Sequence, residues 1–99
     1  MVFIKIMKSQ RDMVSVCDND LIGKKFEEGK LQLDVRENFF LGEDVDDKKA
    51  VDIIKKMSKE DATFYIVGEN SVRLSLEAGI IIEEGIVRIQ GIPVVLVLL

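Results

Sequence analysis

The sequence has 99 residues, of which 47% are hydrophobic and 32% are charged, and its formal net charge is −4 at pH 7. This composition predicts one globular domain over residues 1–99, large enough to bury a core. The acidic balance excludes a protein that coats nucleic acid non-specifically, because such binding depends on neutralising phosphates, but it permits a local basic patch. The sequence contains no histidine, so the commonest metal ligand and the commonest general base are both absent.

The sequence has one cysteine, Cys17, which excludes an internal disulfide and fits a reducing, cytoplasmic compartment. We expect no signal peptide, because the first residues already alternate like a strand. The longest apolar run, Val94–Leu99, is far shorter than the roughly 20 residues of a membrane helix, so we expect no membrane contact. The abundance of Lys, Glu and Asp is compatible with a thermophilic source.

Short strands are predicted at the start of the chain. Apolar residues alternate over Met1–Met7 and resume at Met13–Val16 after a polar turn, which is typical of a β-hairpin. The segment Leu21–Lys30 lacks this pattern and is interpreted as a loop bracketed by two glycines. Leu31–Val35 alternates again and predicts a third strand with one buried face.

A first helix is predicted over residues 46–58, where one apolar stripe recurs at helical spacing. Asp44 or Asp46 is the expected cap, because a carboxylate accepts hydrogen bonds from the free backbone N–H groups of the first turn. The lysines of this segment fall mostly outside the apolar stripe.

A buried strand and a second helix follow. The apolar, β-rich run Ala62–Val67 predicts the strand. Residues 70–78 predict the helix, with Asn70 or Ser71 as its cap and Gly79 ending it in the left-handed conformation.

The end of the chain predicts two more strands, Ile86–Gln90 and Val94–Leu99, with Gly91 and Pro93 marking a bulge or an edge between them. The order of elements predicts an α/β domain of α+β character, with a mixed sheet and two main helices packed on it. The strand at Ala62–Val67, the second helix and the strand at 86–90 are expected to form a right-handed β-α-β unit.

The stretch IVGENSVRLSLEAGI, residues 66–80, joins a strand to a helix through Gly68. A helix amino terminus after a glycine can bind an anion through its free N–H groups, and Arg73 favours a phosphate there. The stretch lacks the glycine spacing of a dinucleotide fingerprint and of a P-loop, and Glu69 places a negative charge where a phosphate would lie. A simple turn is therefore the preferred interpretation. The alternative is a phosphate site formed by Gly68, Glu69, Asn70, Ser71 and Arg73.

Two other groups of residues could in principle supply a nucleophile or metal ligands. Cys17 beside Asp18 would need a base to form a thiolate, and without histidine only Lys24 or Lys25 remains, so we expect no catalytic residue. Four neighbouring carboxylates offer oxygen ligands without the spacing of a calcium loop, and helix capping explains them without a metal. They are Glu43, Asp44, Asp46 and Asp47. We therefore expect no metal and no cofactor.

A basic loop is the other candidate ligand site, because its glycines allow close approach of the backbone to a phosphate. Its residues are Gly23, Lys24, Lys25 and Lys30. The lysine face of residues 48–59 is interpreted as the solvated side of an amphipathic helix.

Four separated pieces of the sequence fit one pattern: CDNDLIGKKFEEGKLQLDV, FFLGEDVDD, IVGENSV and VRIQGIP. Together, in order and over nearly the whole chain, they resemble a small archaeal family, domain of unknown function 424. The matching positions are Cys17-Asp18, Leu21-Ile22-Gly23-Lys24, Gly42-Glu43, Val67-Gly68-Glu69 and Gly91-Ile92-Pro93.

One departure from the family pattern lies near the end of the chain. Family members follow Gly-x-Pro with a His-Ala-Gln-like segment, whereas Val94-Val95-Leu96 stand here, so this protein cannot repeat any chemistry of that histidine. The resemblance implies an archaeal cytosolic protein, and the family is sometimes labelled RNA-binding.

The leading functional hypothesis is a non-catalytic binding module for structured RNA or a ribonucleoprotein partner, with no DNA partner expected. One alternative is a small-molecule or nucleotide-phosphate site at Gly68–Ser71, with or without catalysis. Another is a homo-oligomeric interaction domain that forms a homodimer through the strand at Val94–Leu99.

Overall fold

The structure, a computed structural model, describes residues 1–98. A six-stranded sheet forms from β1 (Val2–Met7), β2 (Met13–Asp18), β5 (Glu43–Val45), β6 (Thr63–Val67), β7 (Val87–Ile89) and β8 (Ile92–Val97). A separate two-stranded hairpin consists of β3 (Lys25–Glu28) and β4 (Leu31–Asp34). The helices are α1 (Glu37–Phe40), α2 (Asp47–Lys59) and α3 (Glu69–Glu77), and short 3-10 turns lie at Asn19–Leu21 and Glu83–Gly85.

The strand order in the main sheet is β5-β1-β2-β6-β8-β7. β2 and β6 pair in parallel, whereas the other neighbouring strands pair antiparallel, including the predicted hairpin of β1 and β2. β6 and β7 run in the same direction because both are antiparallel to β8, which lies between them. The predicted β-α-β unit therefore has one strand inserted between its two parallel members.

The two faces of the sheet are covered by different layers. On one face, Val14, Phe64 and Ile66 pack with apolar residues of α2 and α3. On the other face, Cys17 and Val67 pack against the β3–β4 hairpin and α1. Side chains alternate between the two faces because successive residues of a strand point in opposite directions. The prediction of a mixed sheet carrying two main helices is confirmed.

α2 agrees with the sequence prediction to within one residue. Its cap is Asp46, whose carboxylate accepts a hydrogen bond from the Lys49 backbone N–H at 2.8 Å. Asp44, the other expected cap, lies in β5 instead. Of the apolar stripe predicted from helical spacing, Ala50, Ile54 and Met57 are buried, and Val51 and Ile53 are partly buried against the same core.

The prediction of a loop over Leu21–Lys30 was wrong, since β3 occupies part of that segment. Phe26 in β3 is half-buried in the core opposite Leu33, and the positive φ of Gly29 (60°) closes the turn to β4. β4 pairs with β3 and does not join the main sheet. α1 and β5 were not predicted, because their sequences, ENFF and EDV, are short and show no apolar alternation.

Gly91 and Pro93 were predicted to mark a bulge or an edge; β7, which precedes Gly91, is an edge strand of the sheet, but the described residues 91–93 form no bulge. Gln90 and Gly91 both have positive φ (49° and 79°), which is the conformation of a two-residue hairpin turn between β7 and β8. Pro93 is buried within β8, where its carbonyl accepts a hydrogen bond from the Gly68 N–H at 2.9 Å. Leu99, predicted to end this strand, lies outside the described residues.

Within residues 1–98, none of the helices combines the length and the apolar character needed to span a membrane.

Gly42 is held against the backbone of β1, and this contact can be tested by mutation. A Cβ at residue 42 would lie 2.3 Å from the carbonyl oxygen of Ile4. We expect Gly42→Ala to lower the free energy of unfolding by about 1–3 kcal/mol, because the strand backbone cannot move aside. Urea denaturation monitored by circular dichroism measures the effect.

Gly85→Ala is the matched control, because a Cβ at residue 85 meets no atom within 4 Å. We expect that variant to stay within about 0.5 kcal/mol of wild type. Equal midpoints for the two variants would contradict the packing argument.

Candidate functional site

The carboxyl ends of the parallel strands β2 and β6 lie side by side at one end of the sheet. In open sheets of this kind, ligands commonly bind beyond these strand ends. Hydrogen bonds bring several separated pieces of the sequence together here. The bonded pairs are Asp18 with Asn70 and Ser71, Asn19 with Asp44, Asn70 with Asp47, and Gly68 with Pro93.

Asp18, the last residue of β2, places its carboxylate at the amino terminus of α3. Oδ2 accepts a hydrogen bond from the Asn70 backbone N–H at 3.0 Å. Oδ1 accepts two hydrogen bonds from Ser71, from its backbone N–H and from its hydroxyl, both at 2.7 Å. The predicted caps, Asn70 and Ser71, were therefore wrong, because they are the donors and Asp18 is the acceptor. A negative charge at this position also interacts favourably with the helix dipole.

Gly68 is required by this arrangement for two reasons. Its φ is +109°, which L side chains rarely adopt, and a Cβ there would lie 2.3 Å from Cγ of Asp18. The bare glycine therefore gives the carboxylate access to the helix terminus. The N–H groups that a phosphate would use at Asn70 and Ser71 are already bonded to Asp18.

Arg73 was predicted as a possible phosphate ligand, but its side chain forms hydrogen bonds with other residues at the same end of the sheet. Its guanidinium donates to Asp47 Oδ2 at 3.0 Å and also contacts the side-chain oxygen of Asn70. The hydrogen bond from Arg73 lowers the pKa of the Asp47 carboxyl below its usual value. Glu69, the first residue of α3, pairs with Arg88 of β7 at 2.6 Å.

Each carboxylate of the acidic group before and within the start of α2 has its own partner. Glu43 pairs with Lys49 at 2.7 Å, and Asp44 accepts a hydrogen bond from Asn19 at 2.9 Å. The other two are Asp46, which caps α2, and Asp47, which pairs with Arg73. Across the described part of the chain, no three Asp, Glu or Cys side chains are grouped so that they could hold a metal ion.

An open cavity of about 410 Å³ lies beside these residues. Its walls are formed by Met1, Asp18, Asn19, Asp20, Asp47 and Asn70. Asn19 Oδ1 is buried and has no hydrogen-bond partner within the described residues, although the side-chain amide of the same residue donates to Asp44. The cavity is therefore acidic and polar, which is unfavourable for a phosphate.

Cys17 is fully buried on the hairpin side of the sheet. Burial, together with the smaller effects of the nearby Asp18 and Asp20 charges, raises the pKa of its thiol to about 12. The thiol is therefore protonated at neutral pH, and a nucleophilic role would require the thiolate.

The structure separates the hairpin residues predicted to bind a ligand, which are Gly23, Lys24, Lys25 and Lys30. Gly23 donates its N–H to the Val35 carbonyl at 2.7 Å and so fixes the base of the hairpin. Lys24 and Lys25 lie at this base, whereas Lys30 lies at the tip beyond Glu27 and Glu28. All three lysines are exposed, but acidic residues lie between them.

A more continuous basic surface lies on α2, whose lysines were predicted to form only the solvated side of an amphipathic helix. Its residues are Lys48, Lys55, Lys56 and Lys59, and we call them the lysine face of α2. All four are exposed and none forms an ion pair with another described residue. At about 100° per residue, Lys48, Lys55 and Lys59 fall within about 40° of one line along the helix. Asp52 is an acidic residue that lies on the same side of α2 as these lysines.

The fold and this site define a small α+β domain whose helix α3 is capped by its own Asp18. A family model described as Protein of unknown function (DUF424) matches residues 7–99, and the chain belongs to this family. A search of the curated proteins finds no significant match.

A solved structure of an uncharacterized conserved protein from Methanopyrus kandleri has a similar fold. The TM-score is 0.86 at 23% sequence identity, and the alignment covers 96% of this chain and 88% of the other. At this level of identity the similarity shows the fold alone.

The Asp18 cap can be tested by its effect on stability. We expect Asp18→Ala to lower the free energy of unfolding by about 1–2 kcal/mol, the upper part of the range for a lost helix cap. Asp18→Asn should lose less, because an amide oxygen still accepts one hydrogen bond. Asp20→Ala, at an exposed position in the next turn, is the control and should remain close to wild type in urea denaturation.

The raised pKa of Cys17 predicts a stability change at alkaline pH. Because the folded-state pKa of about 12 exceeds the usual value of 9.0, the thiol's contribution to stability is present below about pH 9 and decreases as pH rises toward 12. We expect wild type to lose more stability than Cys17→Ala between pH 8 and pH 10.5 in urea denaturation. Parallel losses in the two proteins would show that the Cys17 pKa is not raised.

Proposed function

We propose that this protein is a non-catalytic binding module for structured RNA and that the lysine face of α2 contacts the RNA backbone. The observation that supports the proposal is the set of four exposed ammonium groups on one helix without carboxylate partners in the described chain. Unneutralised lysines on a rigid element can release counterions from phosphates, which is the main source of sequence-independent affinity for nucleic acid.

The distribution of the remaining charges supports a confined interface. Five basic side chains are paired with carboxylates in the structure: Lys8, Arg36, Lys49, Arg73 and Arg88. With a net charge of −4, most of the surface repels a polyanion, so contact must be limited to a local patch. The lysine face and the hairpin lysines lie on opposite faces of the sheet, so they do not form one surface.

The aromatic residues indicate which form of RNA the protein would bind. None of the six Phe and Tyr side chains, all within the described residues, is fully exposed: two are buried and four are half-buried. Phe39, Phe40 and Tyr65 pack edge to face with one another on the hairpin side of the sheet. A surface without aromatic platforms favours folded RNA recognised by shape and phosphate contacts over unstacked single strands.

The lysine face is long enough to contact more than one phosphate of a folded RNA. Lys48 and Lys59 are eleven residues apart, which corresponds to about 16 Å along the helix axis. The nucleotide-phosphate alternative receives less support, because Asp18 already uses the N–H groups at the start of α3.

Two double variants of equal charge test the proposal. Lys55→Glu/Lys59→Glu alters the lysine face, and Lys24→Glu/Lys25→Glu alters the base of the hairpin. Each lowers the net charge from −4 to −8, so any non-specific charge effect is the same. Fluorescence anisotropy with labelled archaeal transfer RNA at two salt concentrations measures the affinity.

We expect the lysine-face variant to bind at least about tenfold more weakly than the hairpin variant. Its salt dependence should also fall by about 1.4–1.8 in logarithmic slope, since each lost phosphate contact contributes about 0.7–0.9. The proposal fails if wild type shows no binding at low salt, or if the two variants bind equally well.

A further inference from the structure

The outer edge of β8 is only partly paired. β6 pairs with β8 as far as Val97, whereas β7 reaches only from Ile92 to Val94, where Val87 is the last partner. Residues 95–98 therefore have no neighbouring strand on their outer side within the described chain.

The backbone of Leu96 points toward this vacant position. The Pro93 carbonyl points toward β6, because it accepts the hydrogen bond from the Gly68 N–H. Backbone groups alternate in direction along a strand, so the N–H and C=O of Leu96 point to the opposite side. An unpaired edge of this kind is a template for pairing with another extended chain.

Exposed apolar side chains are concentrated at the same edge. Ile82, Val87, Leu96 and Leu98 are 67%, 50%, 52% and 70% exposed, and they make up half of the large exposed hydrophobic residues in the described chain. A groove of about 350 Å³ lies between residues 79–82 and 95–98. Several exposed apolar side chains beside an unpaired strand edge are typical of an interaction site.

The charges around the groove indicate the chemistry of the occupant. Residues 79–82 and 94–98 carry no charge, and Glu83 and Glu84 follow directly at the turn that leads to Gly85 in the groove wall. An occupant with an apolar centre and a basic end near Glu83 and Glu84 is therefore complementary to the groove.

We infer that an extended peptide segment of another protein adds to the sheet as a seventh strand beside residues 95–98. Its side chains alternate in direction, so that those on one side contact Val87, Leu96 and Leu98 and those on the other side contact the segment at 79–82. A lysine or arginine at one of its ends pairs with Glu83 and Glu84. Main-chain hydrogen bonds supply affinity and the side chains supply specificity, as in other cases of strand addition.

A second copy of this chain fits the edge less well. Val94 is already paired with Val87, so each copy would have to pair through its own residues 95–98. The strand at 94–98 also carries no cation that could meet Glu83 and Glu84.

The test uses a fluorescein-labelled peptide, Lys-Val-Thr-Val-Thr-Val-Lys, titrated with the full chain and followed by anisotropy. Two control peptides carry proline at the central valine or glutamate at both ends. We expect both to bind at least about tenfold more weakly, because the first cannot complete the strand ladder and the second repels Glu83 and Glu84. The variant Glu83→Lys/Glu84→Lys should reverse the preference between lysine and glutamate ends.

Matched protein variants locate the binding site. Ile82→Ser/Leu96→Ser removes apolar contacts at the groove, and Leu31→Ser/Leu41→Ser removes two similarly exposed leucines (47% and 46%) elsewhere. We expect only the first to weaken binding by about tenfold or more. The inference is overturned if wild type does not bind the peptide, if the proline peptide binds equally well, or if the two variants bind alike. A dimer in light scattering that dissociates only in Ile82→Ser/Leu96→Ser would also overturn it, by assigning the edge to a second copy.

Discussion

The hydrogen bonds between the Asp18 carboxylate and the start of α3 join the two halves of the structure. Asp18 ends β2, and Ser71 lies 53 residues later in the chain, so the contact exists only when β2 and β6 pair in parallel. Gly68 makes the contact possible because it has no side chain to displace the carboxylate. The position where sheets of this type commonly bind an anion is therefore filled by a group of the protein itself.

Because the Asp18 carboxylate bonds to the start of α3, the strand ends offer few unpaired polar groups within residues 1–98. The carboxylates and basic groups around the cap pair mainly with one another, as Asp47 does with Arg73 and Glu69 with Arg88. Groups without partners in the described chain lie elsewhere, among them the lysine face of α2 and the outer edge of β8. One is a polar surface on a helix and the other an apolar edge of the sheet, so they are suited to chemically different ligands.

The sequence predicted the elements that are long enough to show a period. The β1–β2 hairpin, α2, β6 and α3 were found within one or two residues of their predicted bounds. β3, α1 and β5 were missed because their sequences, KFEE, ENFF and EDV, show no apolar alternation, whereas the equally short β4, LQLD, does. The turn at Gln90 and Gly91 was misinterpreted because glutamine is not a typical residue for a positive φ.

The residues of the site were harder to predict than the fold. The capping role of Asp18 was not predicted, because nothing local in the sequence links this residue to a helix more than 50 residues away. The α2 lysines were visible, but sequence cannot show which lysines have carboxylate partners: Lys49 pairs with Glu43, whereas Lys55 has no such partner among the described residues.

The parallel pairing of β2 with β6 has a consequence for the synthesis of the protein on the ribosome. Each residue of β2 from Met13 to Cys17 pairs with a residue 50 positions later, so β2 must wait for those residues to be translated. At about 5–20 residues per second, the delay is roughly 2.5–10 s. During that time, the nascent chain presents an apolar strand containing Val14 and Val16 with one unpaired edge, which is a template for aggregation. The nascent chain is therefore prone to aggregation through this edge between the emergence of β2 and the emergence of β6.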